Sequence, residues 1–231
     1  MLNFRHWMGL PPTKAWGVPL DHLRLDFPLR CLKSLPPQVD PRQPLTVRPL
    51  VGRQDHWRIE QVRLGDRQWL QPWEATLPPG SLDTVPTLSQ FQRRLDSQVF
   101  EGSALPMLVE IGDEAIGMVS VGEVSRAALQ SASVGYWICS RWAGRGVGAL
   151  AVAAVIDLLL SELGLHRVEI NIRPENQPSL GLVRKLNLRE EGLRSRYMCI
   201  GGKWCDHLSF AIDSESLPAG GLVHNYWQAC L

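Results

Sequence analysis

The sequence predicts a mixed α/β domain built on a sheet that is not fully parallel. Three features of the 231-residue chain carry that expectation. Strand–helix–strand patterns fill its middle, hairpin signals stand on both sides of them, and a strongly apolar helical stretch, Val147 to Leu163, separates two strand patterns.

Residues 1 to about 44 carry prolines at 11, 12, 19, 28, 36, 37, 41 and 44 and show no sustained periodicity. They read as an extension that lies over the domain or is partly disordered. Regular structure begins with a strand over 45–50, which Pro49 ends. Asp55 to Leu64 forms a short helix with Asp55 near its N-cap. Arg67 to Pro86 is irregular, with Trp69, Trp73 and Glu74 at its centre. Leu88, Phe91, Leu95 and Val99 recur at helical spacing behind Thr87, a suitable cap. Met107 to Ile111 and Ala115 to Val121 alternate and meet at Gly112-Asp113, the pattern of a hairpin. Val134 to Cys139 is the next strand, and the apolar helix from Val147 stops at Gly164. Arg167 to Ile172 is a strand broken by Pro174-Glu175-Asn176. Pro178 to Lys185 is a helix capped by Asn176 or Gln177. Ser195 to Ile200 and Lys203 to Ile212 flank Gly201-Gly202, a second hairpin. The regular domain thus spans 45–213, and the tail of 214–231 has no clear period.

Bulk properties exclude several function classes. A net charge of +1 gives no global field to recruit nucleic acid. The five cysteines (31, 139, 199, 205, 230) form no CxxC pair and stand at no metal-ligand spacing from histidine, so no metal is expected. Their odd, patternless count suits a reducing compartment. Pro11, Pro12 and Lys14 interrupt the N-terminus before any secretory apolar run develops. The longest apolar run, Ala149 to Leu160, contains Asp157 and is too short to span a bilayer. A cytoplasmic protein, monomer or homodimer, is expected.

The densest local signal is the run from Gly135 to Gly148, an aromatic strand leading through a glycine loop into the apolar helix. Glycines at 144, 146 and 148 let successive backbone N–H groups turn inward without Cβ interference. The helix adds its unpaired N-terminal amides and positive dipole end. Arg141 and Arg145 can supply charge-assisted hydrogen bonds, so a pyrophosphate fits. The spacing matches neither a dinucleotide-binding fingerprint nor a Walker loop, which needs Gly-Lys-Ser/Thr.

Four blocks in order resemble the GNAT N-acetyltransferases, and more narrowly their RimJ/RimL-like ribosomal-protein-alanine branch. They are Gly135-Tyr136-Trp137-Ile138; Gly144-Arg145-Gly146-Val147-Gly148; Leu165 to Glu169 leading to Pro174-Glu175-Asn176-Gln177-Pro178-Ser179; and Glu191-Gly192-Leu193-Arg194 leading to Gly202 to His207. The resemblance covers roughly 45–213. It implies a mostly antiparallel sheet whose two central parallel strands, Val134–Cys139 and Arg167–Ile172, splay apart over acetyl-CoA. It places the pantetheine arm on the backbone of Ile138 and Cys139 and the pyrophosphate on the amides of Ala143, Gly144, Arg145, Gly146, Val147 and Gly148. The family's usual Gln or Arg is replaced by Ala143, a loss that Arg141 or Arg145 can offset.

Direct transfer to an amine needs a neutral nucleophile, an oxyanion donor and a proton for the thiolate. The resemblance places the oxyanion donor at a backbone N–H near Ile138 or Cys139, sets Asn176 against the cofactor, and makes Ser179 the acid, because the tyrosine other members use is Val183 here. A purely capping role for Asn176 and Ser179 stays open. Glu123, Glu74 and Asp206 are the candidate bases. Cys139 has no histidine near it in sequence, which disfavours a covalent acetyl-cysteine. Asp206 is expected to face the cleft rather than its neighbour His207. Trp73 and Glu74 on one side, with Tyr197 and Asp206 on the other, are expected to receive the acceptor.

An α-amine with pKa ~7.7–8.0 is roughly 10% neutral at pH 7, and a lysine at ~10.4 well under 0.1%, a gap of about 3.5 kcal/mol. A site without a strong base therefore suits a protein N-terminus. A small amine as acceptor, or a non-catalytic acyl-CoA-binding module, are the competing expectations.

Overall fold

The computed structural model describes residues 15–228. The first part of the proline-rich extension, the last three residues of the tail, and with them Cys230, lie outside the described residues. Eight strands form one sheet: β1 Leu25–Pro28, β2 Pro44–Pro49, β3 Leu105–Ile111, β4 Glu114–Ser125, β5 Ser131–Ile138, β6 Arg167–Ile172, β7 Arg189–Ile200 and β8 Lys203–Asp213. Their spatial order is β1-β2-β3-β4-β5-β6-β8-β7, and every neighbouring pair is antiparallel except β5 and β6.

The helices are α1 Gly52–Gly65, α2 Arg67–Leu70, α3 Leu88–Glu101, α4 Val147–Asp157, α5 Gln177–Lys185 and α6 Gly221–Trp227. Thr87 closes a reciprocal capping box with Gln90 at the start of α3, and Gly102 ends that helix in the left-handed region. Nine of the eleven residues of α4 are buried, so the helix runs through the core rather than along its surface. It widens into a π turn at Leu158–Glu162 before Gly164 turns the chain with φ 65°.

One face of the sheet carries the main core: Val134 of β5 and Val168, Ile170 and Ile172 of β6 pack with α4, α5 and α6. The other face is covered near β3 and β4 by α1 through Leu50, Ile59, Leu108 and Ala115. Arg48 of β2 fixes that helix by pairing with Asp55 of α1 and Glu110 of β3, each at 2.6 Å.

Two segments that looked irregular in sequence are built into the fold. Residues 25–28 of the extension pair with β2 and extend the sheet. Trp16, Leu23, Leu29, Cys31 and Leu32 of the same segment join the main core. In the tail, α6 is held by Asp157, whose carboxylate accepts the N–H groups of Leu222 and Val223 at 2.7 and 2.9 Å. Neither segment shows periodicity, because each follows a surface already formed by distant residues.

Candidate active site

Strands β5 and β6 pair over only three positions, Ser131 with Arg167 through Ser133 with Glu169, and then separate. Antiparallel partners alternate between hydrogen-bonded and non-bonded pairs. Cys139 N–H donates to Ile116 O at 2.8 Å, so Ile138, one residue earlier and opposite Gly117, presents its N–H and C=O away from β4 into the opening. Of the two positions expected to offer free backbone groups, Ile138 offers its N–H, its carbonyl being taken by the Trp69 indole, and the Cys139 N–H is committed to the sheet. Cys139 is buried, and that burial pushes its thiol above the usual range, against a thiolate nucleophile.

The loop closing this opening matches its sequence pattern. Gly144 and Gly146 adopt φ values of 72° and 94°, a region costly for residues with a Cβ. A Cβ on Gly144 would meet nothing within 4 Å, so the space beside the loop is open there. Gly146 N-caps α4 with no side-chain cap, leaving the first helical amides to an anion. Arg141 is paired with Glu114 at 2.6 Å. Among the described residues Arg145 bonds only neutral oxygens, Arg141 O at 3.1 Å and Ser34 Oγ at 3.0 Å, and meets no carboxylate there.

On the far side of the opening, Asn176 caps α5 by accepting Ser179 N–H at 3.2 Å. The Ser179 hydroxyl makes no hydrogen bond among the described residues, and its carbonyl accepts the Tyr136 hydroxyl at 3.4 Å. Tyr136 crosses from β5 to α5, and burial pushes its phenol up to about 12. Val183, which replaces a tyrosine in the helix, is fully buried.

The opposite face of the same opening is walled by the loop after α1. Asp66 accepts Ser140 Oγ at 2.8 Å, and Trp69 Nε1–H donates to Ile138 O at 3.1 Å, bringing the α1–α2 corner against the splayed strand. Arg173, just past β6, donates to Pro72 O at 3.0 Å and lies over the Trp73 ring. Ala75 bridges to Ile200, and Thr76 bonds both Cys199 and Gly202, so the loop is stitched to the β7–β8 hairpin. Tyr197 meets His207 edge-on at 5.5 Å and carries Arg194 on its ring. His207 is buried, and desolvation holds it below the usual histidine range, hence neutral at pH 7.

The carboxylates expected near the acceptor are already bonded. Glu74 pairs with Arg63 at 2.6 Å. Asp206 accepts Arg196 N–H at 2.7 Å, because three residues of β7, Ser195 to Tyr197, stand opposite it in a bulge where Arg196 has φ 50°. Glu123 is a correction. It sits exposed where β4 pairs with the start of β5, six residues along β4 from Gly117, the partner of Ile138, and so roughly 20 Å away at ~3.3 Å per residue. Its distance from Ile138 speaks against it as a base.

The sequence model of the acetyltransferase (GNAT) domain family matches residues 45–189. The chain belongs to the GNAT acetyltransferase family. It is an N-acetyltransferase of the RimJ type by its relatives. It is 28% identical over 177 residues to the Escherichia coli (strain K12) ribosomal protein uS5-alanine N-acetyltransferase, covering 74% of this chain and 89% of that one. It is 33% identical over 125 residues to the probable N-acetyltransferase YjcK of Bacillus subtilis (strain 168), covering 54% and 68%. A structure of Mycobacterium smegmatis RimJ in complex with CoA-disulfide superposes with a TM-score of 0.72 at 34% identity, covering 80% of this chain and 89% of that one.

The GNAT resemblance therefore holds. Sequence reasoning missed Tyr136, Arg173, Asp66 and the specific reach of Trp69. Period-2 alternation sets Tyr136 on the same face as Val134 and Ile138, a signal that was available. Arg173 and Asp66 act across more than sixty residues of sequence and leave no local trace. Among the described residues no group of His, Cys, Asp and Glu could hold a metal ion, and no helix is long and apolar enough to cross a membrane.

Proposed function

We propose that this GNAT enzyme transfers the acetyl group of acetyl-CoA to the α-amine of a protein N-terminus, in the manner of a ribosomal-protein N-acetyltransferase. The observation that carries the acceptor reading is the state of the groove's carboxylates. Glu74, Asp206, Asp66 and Glu169 are all engaged by arginines or N–H groups among the described residues. None is left as a strong base, so the acceptor that suits the groove is an amine already partly neutral at pH 7. Aromatic faces of Trp69, Trp73 and Tyr197 offer apolar walls for the first side chains of a peptide. The uS5-alanine specificity named for the Escherichia coli relative supports a terminal alanine or serine.

The pyrophosphate rests on the amides of 143–148 and the pantetheine arm runs along the splayed end of β5 beside Ile138. The amine nitrogen attacks the thioester carbonyl carbon, and the oxyanion that develops is stabilised by the Ile138 N–H. The C–S bond then breaks, the Ser179 hydroxyl passes its proton to the departing thiolate and regains one from solvent, and the ammonium proton leaves to solvent. Asn176 fixes Ser179 by capping the helix that bears it.

Acetylation of peptides beginning Ala or Ser, compared with free lysine and polyamines under equal acetyl-CoA, tests the reading. Peptides are expected to be preferred in kcat/KM by at least tenfold. A preference for a small amine by a wide margin overturns it.

A further inference from the structure

Residues 29–34 precede the segment matched by the family yet lie against its phosphate loop. Leu29, Cys31 and Leu32 are buried in the main core, which holds this stretch in place. Lys33 N–H donates to Arg145 O at 2.9 Å, and Arg145 returns a bond to Ser34 Oγ at 3.0 Å.

The geometry of a single peptide unit says which side of the loop Lys33 occupies. In a trans peptide the C=O of Arg145 and the N–H of Gly146 point in opposite directions. An amide turned toward the pyrophosphate therefore turns its carbonyl toward Lys33. The aliphatic stem of Lys33 then runs past Gly146, with Cγ 3.8 Å from where a Cβ on that glycine would stand. Lys185, in the last turn of α5, is near enough for its ammonium to be pushed down, by burial and by the charge of Lys33. Its Nζ stands 4.2 Å over the ring of Trp227, which restrains it.

Lys33, Lys185 and Arg145 make no ion pair among the described residues, whereas Arg141 beside them is neutralised by Glu114. Like charges gathered without a counter-charge are costly unless an anion joins them. The pantetheine arm is uncharged and the pyrophosphate is served by the loop's amides. The remaining anionic group of coenzyme A is the 3′-phosphate on its ribose, which carries close to two charges at pH 7.

We propose that Lys33, contributed by the segment outside the family domain, forms with Lys185 and Arg145 the subsite for the 3′-phosphate of acetyl-CoA. The inference rests on the acetyl-CoA reading above. It makes the N-terminal segment part of the cofactor site, and makes the enzyme discriminate coenzyme A from its 3′-dephospho form.

Calorimetric titration of the full chain with coenzyme A and with 3′-dephospho-coenzyme A tests it, for wild type and for Lys33→Ala and Lys33→Glu. Lys33 is exposed, so both variants are expected to fold. Wild type should prefer coenzyme A. Lys33→Ala should weaken coenzyme A about tenfold, as expected for loss of one charge-assisted contact, and Lys33→Glu should weaken it further. Binding of the dephospho form should change less than twofold in Lys33→Ala. Equal weakening of both ligands by Lys33→Ala, or no change in either, overturns the assignment. Wild type that binds neither ligand removes the acetyl-CoA reading itself, and this inference with it.

Discussion

At the scale of single residues, the opening between β5 and β6 contains two hydroxyls with different duties. Tyr136 spends its proton on the carbonyl of Ser179 and is held neutral by burial, its phenol pushed up to about 12. Ser179 keeps its own hydroxyl uncommitted among the described residues. If Ser179 is the acid, Ser179→Ala should lower kcat by roughly 10²-fold with acetyl-CoA affinity nearly unchanged. Tyr136→Phe, which removes only the tie to α5, should keep kcat within about threefold. The two rate constants, measured in single turnover, check this. A larger loss in Tyr136→Phe than in Ser179→Ala would reverse the roles. Burial pushes the Cys139 thiol above its usual range, which disfavours a thiolate nucleophile there.

At the scale of elements, the wall proposed for the acceptor depends on a bulge rather than on a regular strand. Three residues of β7 face the single Asp206 of β8, and the Asp206 carboxylate compensates by accepting Arg196 N–H at 2.7 Å. Arg196 holds φ 50°, which costs roughly 1–2 kcal/mol for a residue with a Cβ. Without the carboxylate, the bulge should relax toward ordinary β geometry and carry Tyr197 away from His207. Asp206→Ala is therefore expected to raise KM for peptide acceptors several-fold and to change acetyl-CoA affinity less than twofold. Steady-state kinetics with an Ala-initiated peptide checks it, and an unchanged KM would confine Asp206 to a structural tie. On the proposed acceptor reading Asp206 is a positioning residue for Tyr197, a different role from the base considered on sequence grounds.

At the scale of the whole molecule, the sheet's far end carries an ion network whose pH response has a definite sign. Hydrogen bonds from Arg167, and then from Arg189, hold the Glu191 carboxyl at about 2, well below its usual range. A carboxyl whose pKa is lowered on folding stabilises the native state above its unfolded value of ~4.3, and that contribution is lost as pH falls toward about 2. The network faces solvent, so its weight is reduced by screening. Glu191→Gln should lose less stability than wild type between pH 5 and pH 2.5, in urea unfolding at low ionic strength. Parallel curves for the two proteins would show that the network contributes nothing.

What the sequence determined on its own is whatever chemistry is local. Glycine spacing before an apolar helix encodes a phosphate loop, because φ values of 72° and 94° exclude other residues without help from distant contacts. Thr87 before Leu88, and Asn176 before Gln177, encode helix starts for the same reason. Alternation about Gly112-Asp113 encodes the first hairpin, and the Gly201-Gly202 turn the second. Tertiary structure alone decided which of the candidate side chains share a site. Glu123 lies at the wrong end of β4, and Glu74 and Asp206 spend their oxygens on partners eleven and ten residues away. Trp69 reaches Ile138 across 69 residues, and Lys33 reaches the loop across 112. Such pairings are set by how the strands are ordered and where two of them part, and no local period records that.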